Sequence, residues 1–151
     1  MTYLTELPAR GVIAVAGEDR VSFLQGLVSN DVELVAPGRA AWAALLTPQG
    51  KYLADFFILT DGNALLLDCE RSQIPMLAVK LSRFRLRAKV TVTARDDLRV
   101  GVAWGESAPA EAVVAPDPRL AGAGWRLISS TPLAANATPE DWDRHRLALG
   151  L

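Results

Sequence analysis

Residues 37 to 68 constrain the fold more than any other part of the chain. Pro37-Gly38, Pro48-Gln49-Gly50 and Asp61-Gly62-Asn63 are tight-turn signals, and they delimit three largely apolar runs, Ala40 to Thr47, Tyr52 to Thr60 and Ala64 to Asp68. Runs joined by turns this short pair as neighbours, so the segment reads as an antiparallel meander. An apolar sheet face needs a cover, and two helices are in place to supply it. After Gly17-Glu18-Asp19, which offers an acidic N-cap, Val21, Leu24, Leu27 and Val28 recur at helical spacing until Asn30-Asp31. After Ser72, with Pro75 in the first turn, Ile74, Leu77, Ala78 and Leu81 form a second apolar helix face.

A β-type run from Gly11 to Ala16 precedes the first helix. Following the second, the period changes to two: Phe84, Leu86, Ala88, Val90 and Val92 alternate with Arg83, Arg85, Arg87 and Lys89, which predicts a half-buried strand with one basic face. The fold class is therefore α+β, a two-layer antiparallel sheet with helices on one face, close to a ferredoxin-like βαβββαβ unit. Asp96-Asp97 closes that unit, so the expected domains are 1–97 and 98–151. The second holds strand candidates at Arg99 to Trp104 and Trp125 to Ile128. Its helix opens at Thr138-Pro139-Glu140-Asp141, an N-cap followed by a first-turn proline and two acids. With so few elements it reads as the start of a second β-rich domain whose remainder, a C-terminal half, would lie beyond residue 151.

Composition narrows the chemistry. Among 151 residues, 16 basic against 17 acidic side chains leave a net charge of -1, so no global field selects nucleic acid or an anionic membrane. No apolar run is long enough to span a bilayer, and residues 1–10 lack a signal-peptide pattern, which makes a cytoplasmic compartment the expectation. The single cysteine, Cys69, excludes an internal disulfide and thiolate-rich metal sites, and its place at a strand end suits packing. The single histidine, His145, lies between two arginines on the last helix, where a surface or interface role is the plain reading. No metal site is expected. Asp55 is the most informative single residue, a carboxylate in an apolar strand on the face shared by Leu53 and Phe57, where partial desolvation would tune it for proton transfer or ligand anchoring. The basic strand face of Arg83, Arg85, Arg87 and Lys89 is a candidate anion-binding patch, although a solvated face is its commoner role.

Four ordered motifs carry a resemblance. Phe23-Leu24-Gln25-Gly26-Leu27-Val28-Ser29-Asn30-Asp31-Val32 is similar to the F-L-Q-G-x-x-x-N-D-V segment of YgfZ-type folate-binding proteins, which are related to the glycine-cleavage T-protein. Leu46 to Phe56, Phe84 to Val90, and Asp117-Pro118-Arg119 with Gly124-Trp125-Arg126 resemble the same group's later elements in the same order. Its K-G-C-[FY]-x-G-Q-E signature has no counterpart here. The resemblance implies a tetrahydrofolate or related folate ligand, an accessory role in iron-sulfur cluster maturation with iron-sulfur proteins as partners, and a folate contact at Asp55, which in the T-protein also assists transfer chemistry. It further implies an apolar pterin wall at Leu65 and Leu67. Folate's glutamate carboxylates or RNA phosphates would be the anions for the basic strand, although no aromatic side chains interleave there for base stacking. Two alternatives remain open: an aminomethyltransferase of the T-protein type, against which Ala54 replaces the first of two adjacent aspartates, and an RNA-contacting module related to tRNA modification.

Overall fold

The computed structural model describes residues 1–151. Its elements are β1 (Thr2–Glu6), β2 (Arg10–Ala16), α1 (Arg20–Gln25), β3 (Ala41–Leu46), β4 (Tyr52–Thr60), β5 (Ala64–Glu70), α2 (Ile74–Phe84), β6 (Thr91–Ala94), β7 (Arg99–Gly105), β8 (Val113–Pro116), β9 (Trp125–Ser129) and α3 (Pro139–Ala148). The expected βαβββαβ order is present from β2 to β6. Those five strands form one antiparallel sheet in the order β3-β4-β5-β2-β6, and the other four form a second in the order β1-β7-β9-β8.

Alternation along β5 shows how the layers stack. Leu65, Leu67 and Cys69 point toward α1 and α2, where Phe23, Leu24, Leu77 and Leu81 cover Phe56 and Ile58 in the largest apolar cluster. The intervening Leu66 points the other way, joining Val12, Phe57 and Leu59 against Val100, Val113 and Ile128 of the second sheet. The molecule is thus a helical layer, a five-stranded sheet and a four-stranded sheet, with two cores separated by one sheet. On the four-stranded sheet, Trp142 of α3 packs on Val102 and Trp104. No helix is long and apolar enough to cross a membrane.

Two arrangements differ from the pattern reading. The first concerns β1, which was not expected at all. It pairs with β7 from Thr2↔Gly105 to Glu6↔Gly101, so the division at 97/98 separates the two sheets everywhere except at this opening strand. The second concerns residues 84–90. Helix α2 continues to Phe84, whose side chain packs on the helix-side core, and the strand starts only at Thr91. Between them Leu86 takes a left-handed conformation, φ 42°, and is 88% exposed. The chain therefore turns where an alternating strand was expected, because the 3–4 spacing of Ile74, Leu77, Leu81 and Phe84 offers burial that a continued strand would forfeit. Gly17 is required near the end of this turn. Its φ is 116°, and a Cβ would collide with the Lys89 carbonyl where the two segments cross.

Thr138 is the N-cap expected for helix α3, and the structure closes a full capping box there: Thr138 Oγ1 accepts from the Asp141 amide at 3.1 Å, and Asp141 Oδ2 accepts from the Thr138 amide at 2.9 Å. Thr138→Ala should cost about 1 kcal/mol by urea denaturation.

Candidate anion and ring cleft between helix α3 and strand β4

A cleft of about 420 Å³ opens between α3 and the inner face of β3 and β4. That size falls in the range of small-molecule sites. Register places its central row: Trp42 pairs with Phe57, and Phe57 with Asp68, so the three side chains lie side by side on the face turned toward the second sheet. One step away along β4, Asp55 pairs with Ala44 on the same face.

Three arginines surround Phe57. The guanidinium carbons of Arg126, Arg119 and Arg10 lie 4.1, 4.9 and 5.9 Å from its ring centroid. Each is fixed by an acid. Asp68, fully buried, accepts from Arg126 Nε and Nη2 at 3.0 and 2.7 Å through Oδ2, and from Arg10 Nε at 2.8 Å through Oδ1. Arg10 Nη2 also donates to the Asp68 carbonyl at 2.7 Å. Asp117 receives Arg119 on both oxygens, from Nε at 3.1 Å and Nη2 at 2.8 Å. Burial lowers the pKa of Arg126, and the neighbouring Asp68 charge opposes that shift. Asp68 therefore pins together β5, the start of β2 and β9 across the gap between the sheets.

Asp55 differs from these acids. It is half-buried, lines the cleft, and has no basic partner; its Oδ2 accepts from the Tyr52 hydroxyl at 2.9 Å. Burial first, and then the bond to Asp55, raise the Tyr52 pKa, so the phenol stays a donor. Trp42, 44% exposed, stands beside them at the rim, and Trp42, Tyr52 and Asp55 also line a second hollow of about 290 Å³ on the far side of this rim. At the outer end Arg146 is held by Asp143, with 2.8 Å from Nε to Oδ1.

The segment Phe23 to Val32 explains why Trp42 stays there. Phe23 and Leu24 anchor it in the core. Gln25 Oε1 accepts from the Val32 amide at 2.7 Å, closing the turn after α1. Ser29 then exchanges bonds with Ala44: its amide donates to the Ala44 carbonyl at 3.0 Å, and its Oγ accepts from the Ala44 amide at 2.9 Å. Asn30 Nδ2 donates to the Trp42 carbonyl at 2.9 Å. The polar residues of the motif thus satisfy the open edge of β3, which would otherwise offer unpaired backbone groups.

Other sequence-derived candidates lie elsewhere. Asp55 shares its face with Phe57 as expected, but Leu53 packs on the helix-side core, and the β3–β4 register shifts at Leu45/Leu46 nearby. Leu65 and Leu67 are corrected: they are buried under α1 and α2, on the opposite face of the sheet from Asp55, and line no part of the cleft. The basic strand face is corrected as well. Arg83 lies in the last turn of α2, Arg85 caps that helix, Arg87 follows Leu86 in the turn, and Lys89 pairs with Glu18 at 2.9 Å. The geometry that suggested a row of phosphate contacts is absent. Cys69 is buried, with burial and then Asp68 pushing its thiol up to about 12, which keeps it protonated. His145 Nε2 donates to the Ala123 carbonyl at 2.7 Å, and the imidazole stacks on Trp104, a structural position.

Pattern reading missed Asp68, Arg10, Arg119 and Arg126 as site residues. A signal existed for Asp68, which interrupts the run Leu65-Leu66-Leu67 just as Asp55 interrupts its own strand.

No protein-family model matches the chain. It is 35% identical over 173 aligned positions to the mitochondrial iron-sulfur cluster assembly factor IBA57 homolog of Mycosarcoma maydis, covering 98% of this chain and 43% of the relative. With the human mitochondrial iron-sulfur cluster assembly factor IBA57 it shares 30% identity over 169 positions, 93% of this chain and 48% of the relative. The chain spans less than half the length of these curated relatives. Among solved structures, the glycine cleavage system aminomethyltransferase T from Bartonella henselae superposes with a TM-score of 0.58 at 19% identity, covering 68% of this chain and 28% of that one. The α+β fold is therefore of the T-protein kind. The mitochondrial names of the relatives overturn the cytoplasmic expectation, which rested on composition and on the first ten residues. One buried thiol fits any compartment that keeps cysteines reduced.

Proposed function

We propose that this chain is the folate-binding portion of an iron-sulfur cluster assembly factor of the YgfZ type, with tetrahydrofolate or a related folate as ligand and iron-sulfur proteins as clients. The assembly role is carried by the similarity to the IBA57 relatives, which extends along nearly the whole chain. The ligand reading rests on one observation within the cleft: Asp55 is a carboxylate without a basic partner, between Trp42 and Tyr52.

The donor set fits a folate. A pterin presents an amino group and a ring N–H along one edge, and an ionised carboxylate can accept from both at once. Its ring is flat and apolar on its faces, which suits contact with the exposed indole of Trp42. In this arrangement Asp55 orients the ring and Tyr52 orients Asp55.

Titrating tetrahydrofolate while following tryptophan fluorescence tests the proposal. Saturable quenching is expected, with affinity reduced about 10-fold in Asp55→Asn, which retains shape but loses the charge-assisted bonds. Equal affinity in the variant would remove Asp55 from the site, and a wild-type protein that never saturates would remove folate.

A further inference from the structure

We propose that Arg10, Arg119 and Arg126 form a preorganised oxyanion site, which holds one carboxylate or phosphate group of the ligand whose ring lies at Trp42 and Asp55. This deepens the folate reading and rests on it only for the identity of the ring.

Each of the three guanidinium groups leaves one nitrogen unused. In each, Nε and Nη2 are committed to Asp68 or Asp117, and Nη1 makes no hydrogen bond within the chain. All three residues line the same cleft. Arg126 is 3% exposed, yet no fully buried polar side-chain atom lacks a partner, so its unbonded Nη1 keeps some access to open space, and the residue lines the cleft. A buried arginine locked on one edge by a carboxylate, with its other edge presented to a cavity, is a donor whose orientation has been set before any ligand arrives.

Charge points the same way. Around Phe57 three cations are ion-paired with only two carboxylates, Asp68 and Asp117, and the exposed Glu70, register partner of Arg10, forms no ion pair with it, so one guanidinium charge is not matched by a bonded acid. The π face of Phe57 offsets part of it. The remaining charges of the cleft do not cancel the excess locally. Arg146 and Asp143 pair with each other at the α3 side, and Asp55 lies two residues along β4 from Phe57, about 7 Å away. The cleft is therefore polarised, positive around Phe57 and negative at Asp55. A ligand with an N–H-bearing ring at one end and an acid at the other matches both ends in a single orientation. Charge-assisted bonds to fixed arginines are short and strong, which is why arginine suits both carboxylate and phosphate.

The test uses the whole chain with two simple probes, inorganic phosphate followed by ³¹P line broadening and glutarate followed by calorimetry. At least one is expected to bind saturably, one per chain, and the tighter of the two identifies the acid as phosphate or carboxylate. Arg119→Gln should weaken binding about 10-fold or more, and Arg119→Lys, which keeps the charge without the fork, should also weaken it. Arg83→Gln, an exposed cation on α2, should leave affinity unchanged and serves as the control for unspecific attraction. Urea midpoints establish that the variants are folded; should Arg119→Gln not be, the lysine variant carries the comparison.

The proposal is overturned if neither anion saturates the wild type, or if Arg119→Lys binds as the wild type does. The folate reading fails separately. Anion binding without tetrahydrofolate binding leaves the oxyanion site standing, whereas tetrahydrofolate affinity indifferent to Arg119 and to both anions leaves folate standing and removes this site.

Discussion

Asp68→Ala is expected to lower stability by about 3–5 kcal/mol, the largest effect of any single charge in the molecule. The side chain accepts from two arginines at once, and one of them, Arg126, has almost no access to water. Removing the acid leaves that guanidinium buried without a counter-charge, and leaves the Arg10 side chain tied to β5 only through the backbone carbonyl of residue 68. Urea denaturation should show a lower midpoint with an unchanged slope, and Tm should fall by roughly 10 °C for a chain of this length. Much of the loss should be recovered in the double variant Asp68→Leu/Arg126→Met. A buried ion pair can often be replaced by well-packed apolar groups at little cost, whereas breaking one side of it cannot. The double variant should nevertheless lose the oxyanion probes, which separates the stabilising part of this cluster from its binding part.

The second large effect is expected at Leu67. Leu67→Ala should cost about 2–5 kcal/mol, because the side chain is fully buried among Phe56, Ile58 and Leu77 and its removal leaves a cavity. Tetrahydrofolate affinity of the folded protein should not change. A residue lining a pterin pocket would give the reverse, a modest stability change with a large loss of affinity. Measuring urea midpoint and affinity together on this one variant therefore decides between a core position and a binding wall.

These two residues also show what could be read from sequence. The order of strands and helices from β2 to β6 was visible, because turn signals and apolar periods are local properties of the chain. The fold class follows from them. Asp55 was visible as a carboxylate in an apolar strand. The face to which Leu65 and Leu67 belong could not be settled by alternation alone, since alternation divides a strand into two faces without saying which one meets the helices. Asp68 answers to the same rule as Asp55. Its meaning depends on Arg126, 58 residues later on another sheet, and no local pattern reports that pairing.

Residues 83–90 fail for a different reason. Arginine and apolar residues alternate there, and the helical spacing ending at Phe84 overlaps the alternation. Two periods compete over the same residues, and burial of Phe84 beside Leu81 decides the outcome.

The placement of β1 has a consequence in time. Strand β1 is made well before its partner: β7 emerges about a hundred residues later, so β1 waits roughly 5–20 s at ordinary synthesis rates. The five-stranded sheet and its helices are complete by then, while Val12, Phe57 and Leu66 still lack the second sheet that covers them. The order of synthesis thus follows the topology: the helix-side core can form first, β1 can pair once β7 has emerged, and the inter-sheet core is completed only when β8 and β9 follow. Contacts of such long sequence separation form slowly, and until the second sheet is complete the apolar face of Val12, Phe57 and Leu66 stays open to neighbouring molecules.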